Sequence, residues 1–214
     1  MDGLEKILLL DCGLGYTDST GSFHPGNERS NKVENALLGA GYDVVRCRTF
    51  DDLEQYVTLE GHTFEEYREA VHVYEETLAS YTAPDRSKDP SLKSAYLAAY
   101  EKVTRIQEGI RFKTDGLYAI VGHISDMCMD LSDDHLGMLH AVKNYPSDTS
   151  TRLIGYTGGS FVHSRKWSPN ITQFGRFVGR TEDGEDQIGE LLALIAEKEY
   201  TPRIVGRDLD LDDE

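Results

Sequence analysis

The residues with most chemical capacity fall in three stretches. Asp11 closes the apolar run Ile7 to Leu10, and Cys12 follows it. A polar loop continues to Ser30 with glycines at 13, 15, 21 and 26, and with Thr17, Ser19, Thr20, Ser22 and His24. Hydroxyls and backbone N–H groups ahead of a helix suit an anion cradle, or a lid over a small ligand. The pair Gly13 and Gly15 lacks the third glycine of a dinucleotide fingerprint. In the second stretch His123, Asp126, Cys128, Asp130, Asp133, Asp134 and His135 have the composition of a metal site. Their spacing matches no zinc signature, and a solvated acidic loop is the plainer reading. Asp11 with Asp126 or Asp130 is a weak candidate site for a hard cation. The third stretch holds Gly158-Gly159-Ser160, then Trp167 beside Arg165 and Lys166. A Trp–Arg patch suits a partner hot spot, and a core tryptophan is the plainer alternative. No Ser-His-Asp arrangement or phosphate motif names a reaction, so no substrate follows and no cofactor is expected.

These residues need elements to position them. The continuous run Ile7–Leu10 reads as a strand covered on both faces, hence a parallel one. Asn31 with Glu34 reads as an N-cap and capping box for a helix through Val33, Leu37 and Leu38. That helix stops at Gly39 or Gly41, and 42–47 forms a second strand. A third strand is expected at 117–122, a helix from Ser132 or Asp133 to Asn144, and a fourth strand at 152–157. A fifth strand is expected at 176–179 and a closing helix at 188–198. Strands alternating with helices predict an α/β three-layer sandwich around a five-stranded parallel sheet. The loops 11–24, 122–130 and 157–160 would then meet at its carboxyl rim.

Residues 51–114 follow another rhythm. Phe64, Tyr67, Val71, Tyr74, Leu78 and Tyr81 recur at steps of three and four, as do Leu92, Tyr96, Ala99, Val103, Ile106 and Ile110. Pro84 and Pro90 bracket the break between them. This predicts an inserted helical hairpin with arms about 27 Å long. The two seams pack on each other, or the aromatic seam of Tyr67, Tyr74, Tyr81 and Tyr96 also meets a second chain.

The domain division expected is therefore 1–50 with 115–200, the hairpin at 51–114, and an acidic tail at 201–214. The 214 residues include 22 basic and 38 acidic side chains, a net charge of −16. That field repels phosphate backbones and anionic lipid, so neither nucleic acid nor membrane is an expected partner. No apolar run approaches the roughly 18 residues of a membrane span. The first six residues carry two acids and no basic stretch, so no secretory signal is visible. Three cysteines without a CxxC argue for a reducing compartment, and a cytoplasmic location is expected. Cys12 and Cys128 follow neighbouring strands and read as inert thiols rather than a redox pair.

The order of elements resembles the receiver domain of two-component response regulators, a flavodoxin-like fold with strand order 2-1-3-4-5. Lys6 to Asp11 is similar to the family's first strand and its following acid. Leu153 to Thr157 is similar to its fourth strand and switch hydroxyl, and Phe177 to Thr181 occupies its fifth-strand position. The departures are specific. The third strand ends Val121-Gly122-His123, with no phospho-acceptor carboxylate, Cys12 replaces the second acid, and Arg180-Thr181 replaces Lys-Pro. The resemblance therefore implies a pseudo-receiver: a phosphorylation-independent signalling module acting through a protein partner, self-association, or both. Its pocket would be lined by Asp11, Cys12, Gly122, His123, Asp126, Thr157, Gly158 and Arg180, with Arg180 facing Asp11 in place of a cation. The alternative is a flavodoxin-like enzyme or small-ligand binder that uses 12–30 as its lid.

Overall fold

The computed structural model describes residues 4–83, 89–124, 127, 138–157, 171–174 and 184–205. They form two compact units by internal contact. One contains residues 1–53 and 114–214, the other Glu54–Lys113.

The first unit is built on parallel strands. β1 (Lys6–Leu10) lies between β4 (Asp43–Cys47) and β7 (Ala119–His123), and β8 (Arg152–Tyr156) adds beyond β7. The register sets Leu9 beside Arg46 and Val121, and Val121 beside Ile154. Two short strands extend this edge, β9 (Thr172–Phe174) and β10 (Ile204–Val205), both parallel. The expected fifth strand at 176–179 lies outside the described residues, and the strand that pairs with β8 is three residues, Thr172–Phe174. The expected tail likewise begins later than 201, because Ile204 and Val205 pair with Gln173 and Phe174.

Side chains alternate across the sheet. Ile7, Leu9, Ala119, Val121, Ile154 and Tyr156 point to one face. There they pack on Val33 and Leu37 of α1 (Glu28–Gly39) and on Leu191, Leu194 and Ile195 of α6 (Gly184–Ile195). Leu8, Leu10 and Ile120 on the other face are also wholly buried. That two-sided burial is why the runs are apolar without interruption. Of the expected helix at 132–144, the described part is α5, Leu139–Lys143.

Two local details depart from the sequence reading. The cap of α1 is Asn27, not Asn31: its Oδ1 accepts from the Ser30 N–H at 2.8 Å. Asn31 instead donates to the Pro25 carbonyl at 2.5 Å and accepts from the Gly15 N–H at 3.3 Å. The segment these bonds tie down is no open loop. It is an antiparallel pair, β2 (Leu14–Thr17) and β3 (Phe23–Gly26). Gly26 sits at φ +69°, and a Cβ there would lie 2.3 Å from the Gly15 nitrogen, so only glycine lets the two backbones close.

The second unit holds α3 (Phe64–Thr82) and α4 (Pro90–Gln107) above a small antiparallel pair, β5 (Val57–Leu59) and β6 (Ile110–Phe112). Thr63 and Glu66 form a reciprocal capping box on α3, and Asp89 with Pro90 opens α4. Ile110 keeps the heptad spacing but is not helical. At Gly109 a Cβ would lie 2.9 Å from the Glu60 carbonyl, and the chain leaves there as strand β6.

Candidate functional site

The carboxyl ends of β1, β7 and β8 bring Asp11, His123 and Tyr156 together. Leu10 is level with Gly122, and His123 with Tyr156, so alternation puts all three side chains on one face. Asp11 is only 2 % exposed. A buried carboxylate needs donors, because unpaired burial of a charge is costly. Asp11 has two: the Gly13 N–H donates to Oδ1 at 2.8 Å, and the Tyr156 hydroxyl donates to Oδ2. Its backbone is held as well, the N–H donating to the Cys47 carbonyl at 3.1 Å. Tyr156 is wholly buried, and the His123 ring meets it edge-on with centroids 5.8 Å apart.

On the opposite face of the sheet the middle strand is closely packed. Gly122 on β7 faces Gly155 on β8. A Cβ at Gly122 would lie 2.7 Å from the Leu10 carbonyl oxygen and 2.8 Å from the Met127 sulfur. A carboxylate-bearing residue does not fit at 122 without a shift of backbone. At Gly155 the obstruction is side chain, with Ile124 and Ile171 at 2.6 and 2.9 Å.

Of the other expected pocket residues, Cys12 is half-buried beside Asp11, and Thr157 follows β8. Asp126, Gly158, Arg180 and Trp167 lie outside the described residues, as does Cys128. Within the described part, Asp11 meets Tyr156 and Gly13, and the expected contact with Arg180 lies outside it. Among the described residues no group of three or more His, Cys, Asp or Glu could hold a metal ion, and no helix is long and apolar enough to cross a membrane. Cys47, the other described thiol, is pushed up to about 12, first by burial and then by Asp52. Its sulfur donates to the Asp52 carbonyl at 3.6 Å, and it is not a nucleophile at neutral pH.

A neighbouring cluster escaped the sequence reading. Arg46 bonds the Gly15 carbonyl and pairs with Glu34 at 2.7 Å, fixing the β2–β3 ribbon to β4 and α1. The Arg48 guanidinium lies 3.7 Å from the centre of the Tyr16 ring, which stacks on His24 at 4.5 Å. His24 in turn meets Asp18 at 2.8 Å. The signal available was the turn chemistry of Asp18 to Ser22 between two short β-prone pieces. These contacts hold the ribbon against β4 and α1.

The expected interface tyrosines divide. Tyr67 is buried and bonded to Gln107 at 3.2 Å, so it belongs to the unit's own core; burial raises its hydroxyl to about 12. Tyr74, Tyr81 and Tyr96 are half-buried and pack ring on ring with Tyr100 between α3 and α4, at 5.3 to 6.3 Å.

No family model matches the chain, and no curated protein or solved structure matches it significantly.

Proposed function

We propose that this chain is a pseudo-receiver: a protein-interaction module of a signalling system that works by docking and not by phosphoryl transfer. The finer fold assignment, a receiver-like three-layer sandwich whose sheet contains the order 2-1-3-4-5, is part of the same proposal. One observation carries it. The acid after the first strand has both carboxylate oxygens engaged by its own chain, through Gly13 and Tyr156. Supporting it, the last residue but one of β7 is Gly122, where a Cβ has no room. A phosphoryl acceptor needs a projecting carboxylate and acids free to share a cation. Here the first is absent at Gly122 and the second is spent on a phenol.

The test is incubation with acetyl phosphate or beryllofluoride and Mg²⁺. Intact mass and thermal midpoint should stay unchanged. An acyl phosphate of one per chain, or a midpoint rise with beryllofluoride, would overturn the reading.

A further inference from the structure

Burial in the hairpin is uneven along its length. Near the β5–β6 end Tyr67, Ala70, Ala99, Val103, Ile106 and Gln107 are buried. Beyond them, over 71–83 and 89–98, no side chain is buried. Yet that distal half holds Leu78, Leu92 and most of the tyrosine cluster, and Val73 and Leu97 stand 39 % and 49 % exposed. Leu97 and Tyr100 share a face of α4 at three-residue spacing, with Lys93 one turn before them. Two helices alone bury little, and such pairs are usually completed by further helices.

Charge says what completes this one. α3 carries Glu65, Glu66, Glu69, Glu75 and Glu76 against Arg68. α4 carries Lys93, Lys102 and Arg105 against Glu101. One arm is acidic and its antiparallel neighbour basic, and in the distal half the difference is Glu75 and Glu76 against Lys93. A two-fold axis along the hairpin would set α3 of each copy against α4 of the other, still antiparallel. The alternative stacking, α3 on α3 and α4 on α4, opposes like charges.

We propose that the distal α3–α4 hairpin is a self-association surface whose partner is a second copy of this chain, forming an isologous four-helix arrangement about that axis. This deepens the docking reading above by naming its surface and partner. Its failure is separable, because phosphoryl probes report on Asp11 and mass reports on the hairpin.

Sedimentation of the full chain across the micromolar range should give twice 24.0 kDa. Leu97→Glu with Tyr100→Glu should give monomer with unchanged far-ultraviolet circular dichroism. Charge exchange tests the orientation without touching the apolar patch. Glu75→Lys with Glu76→Lys makes the distal part of both arms basic, and Lys93→Glu makes it acidic on both. Each variant alone should dimerise more weakly by about tenfold or more, and an equimolar mixture should recover a heterodimer. A wild-type chain that stays monomeric overturns the proposal. So does a mixture that associates no better than its components.

Discussion

The ends of the central strands and the distal half of the hairpin use tyrosine in opposite ways. In the first, Tyr156 and Tyr145 are buried and each hydroxyl has an assigned acceptor, Asp11 and the Thr151 carbonyl. These rings brace fixed neighbours, and their hydroxyls anchor one geometry. In the second, Tyr74, Tyr81, Tyr96 and Tyr100 pack on one another and keep part of each ring in solvent. Stacked half-exposed rings define a surface more than a core. The same residue type marks a closed site in one region and an open one in the other.

The largest expected effect tests whether the sheet unit is the rigid one. Leu9 is fully buried between β4 and β7 and faces α1 and α6. Leu9→Ala should lower unfolding free energy by about 2–5 kcal/mol, the range for a cavity in a packed core. Leu97→Ala, on the exposed hairpin surface, should stay within about 0.5 kcal/mol of wild type when both are measured as monomers. Denaturant midpoints of the two variants read this directly, and similar losses would erase the contrast.

Next comes the brace itself. Tyr156→Phe keeps the ring and removes the donor, leaving the buried Asp11 carboxylate with the Gly13 N–H. The expected cost is about 1–3 kcal/mol, that of an unsatisfied buried group. Tyr81→Phe, on a half-exposed ring, should be close to neutral by the same measurement. A neutral Tyr156→Phe would mean that Asp11 is supported in another way.

The sequence shows β1, β7 and β8 plainly, because two-sided burial leaves continuous apolar runs such as Ile7–Leu10 that nothing else explains. It shows the hairpin arms through three-four spacing. It does not separate Asn27 from Asn31 as the cap of α1. Both are capping residues at plausible offsets, and the β2–β3 ribbon, a tertiary feature, takes Asn31 for itself. The heptad continues through Ile110 by coincidence, and the close approach of Gly109 to Glu60 ends the helix instead. The site was half legible. Asp11 stands out as the acid after a strand, but its partner Tyr156 is 145 residues away. No local pattern links them; only the register of β1, β7 and β8 does.

A smaller effect belongs to the start of α3. Thr63→Ala removes one half of the capping box and should cost about 1 kcal/mol. Its other half is titratable. The Thr63 N–H holds the Glu66 carboxyl below its ordinary 4.5, with the Thr63 hydroxyl assisting. Because the folded value is the lower one, this contribution is complete above 4.5 and disappears as pH falls through the depressed folded value. Thermal midpoints of wild type and Glu66→Gln should therefore differ at pH 6 and converge in acid. A gap that widened in acid would reverse the assignment.

The smallest expected effect separates Asp18 from Asp11. Asp18, at the turn of the β2–β3 ribbon, is half-buried where Asp11 is fully buried, and it too is held by donors from its own loop. The Thr20 hydroxyl contributes most, then His24, then the Ser22 N–H, and together they bring its carboxyl down to about 2 from 3.8. The charged form is thus preferred in the folded ribbon. Its support is present above 3.8 and is lost as pH falls through about 2. A carbon-detected carboxyl titration should place the Asp18 midpoint near that lower value. Thr20→Val should move it upward toward 3.8 with no measurable change in global stability, because an exposed turn can exchange its donors for water. If Thr20→Val left the midpoint in place, the ribbon turn would owe its charge preference to His24. The Tyr16–His24–Asp18 chain would then be the feature that fixes the ribbon beside the Asp11 rim.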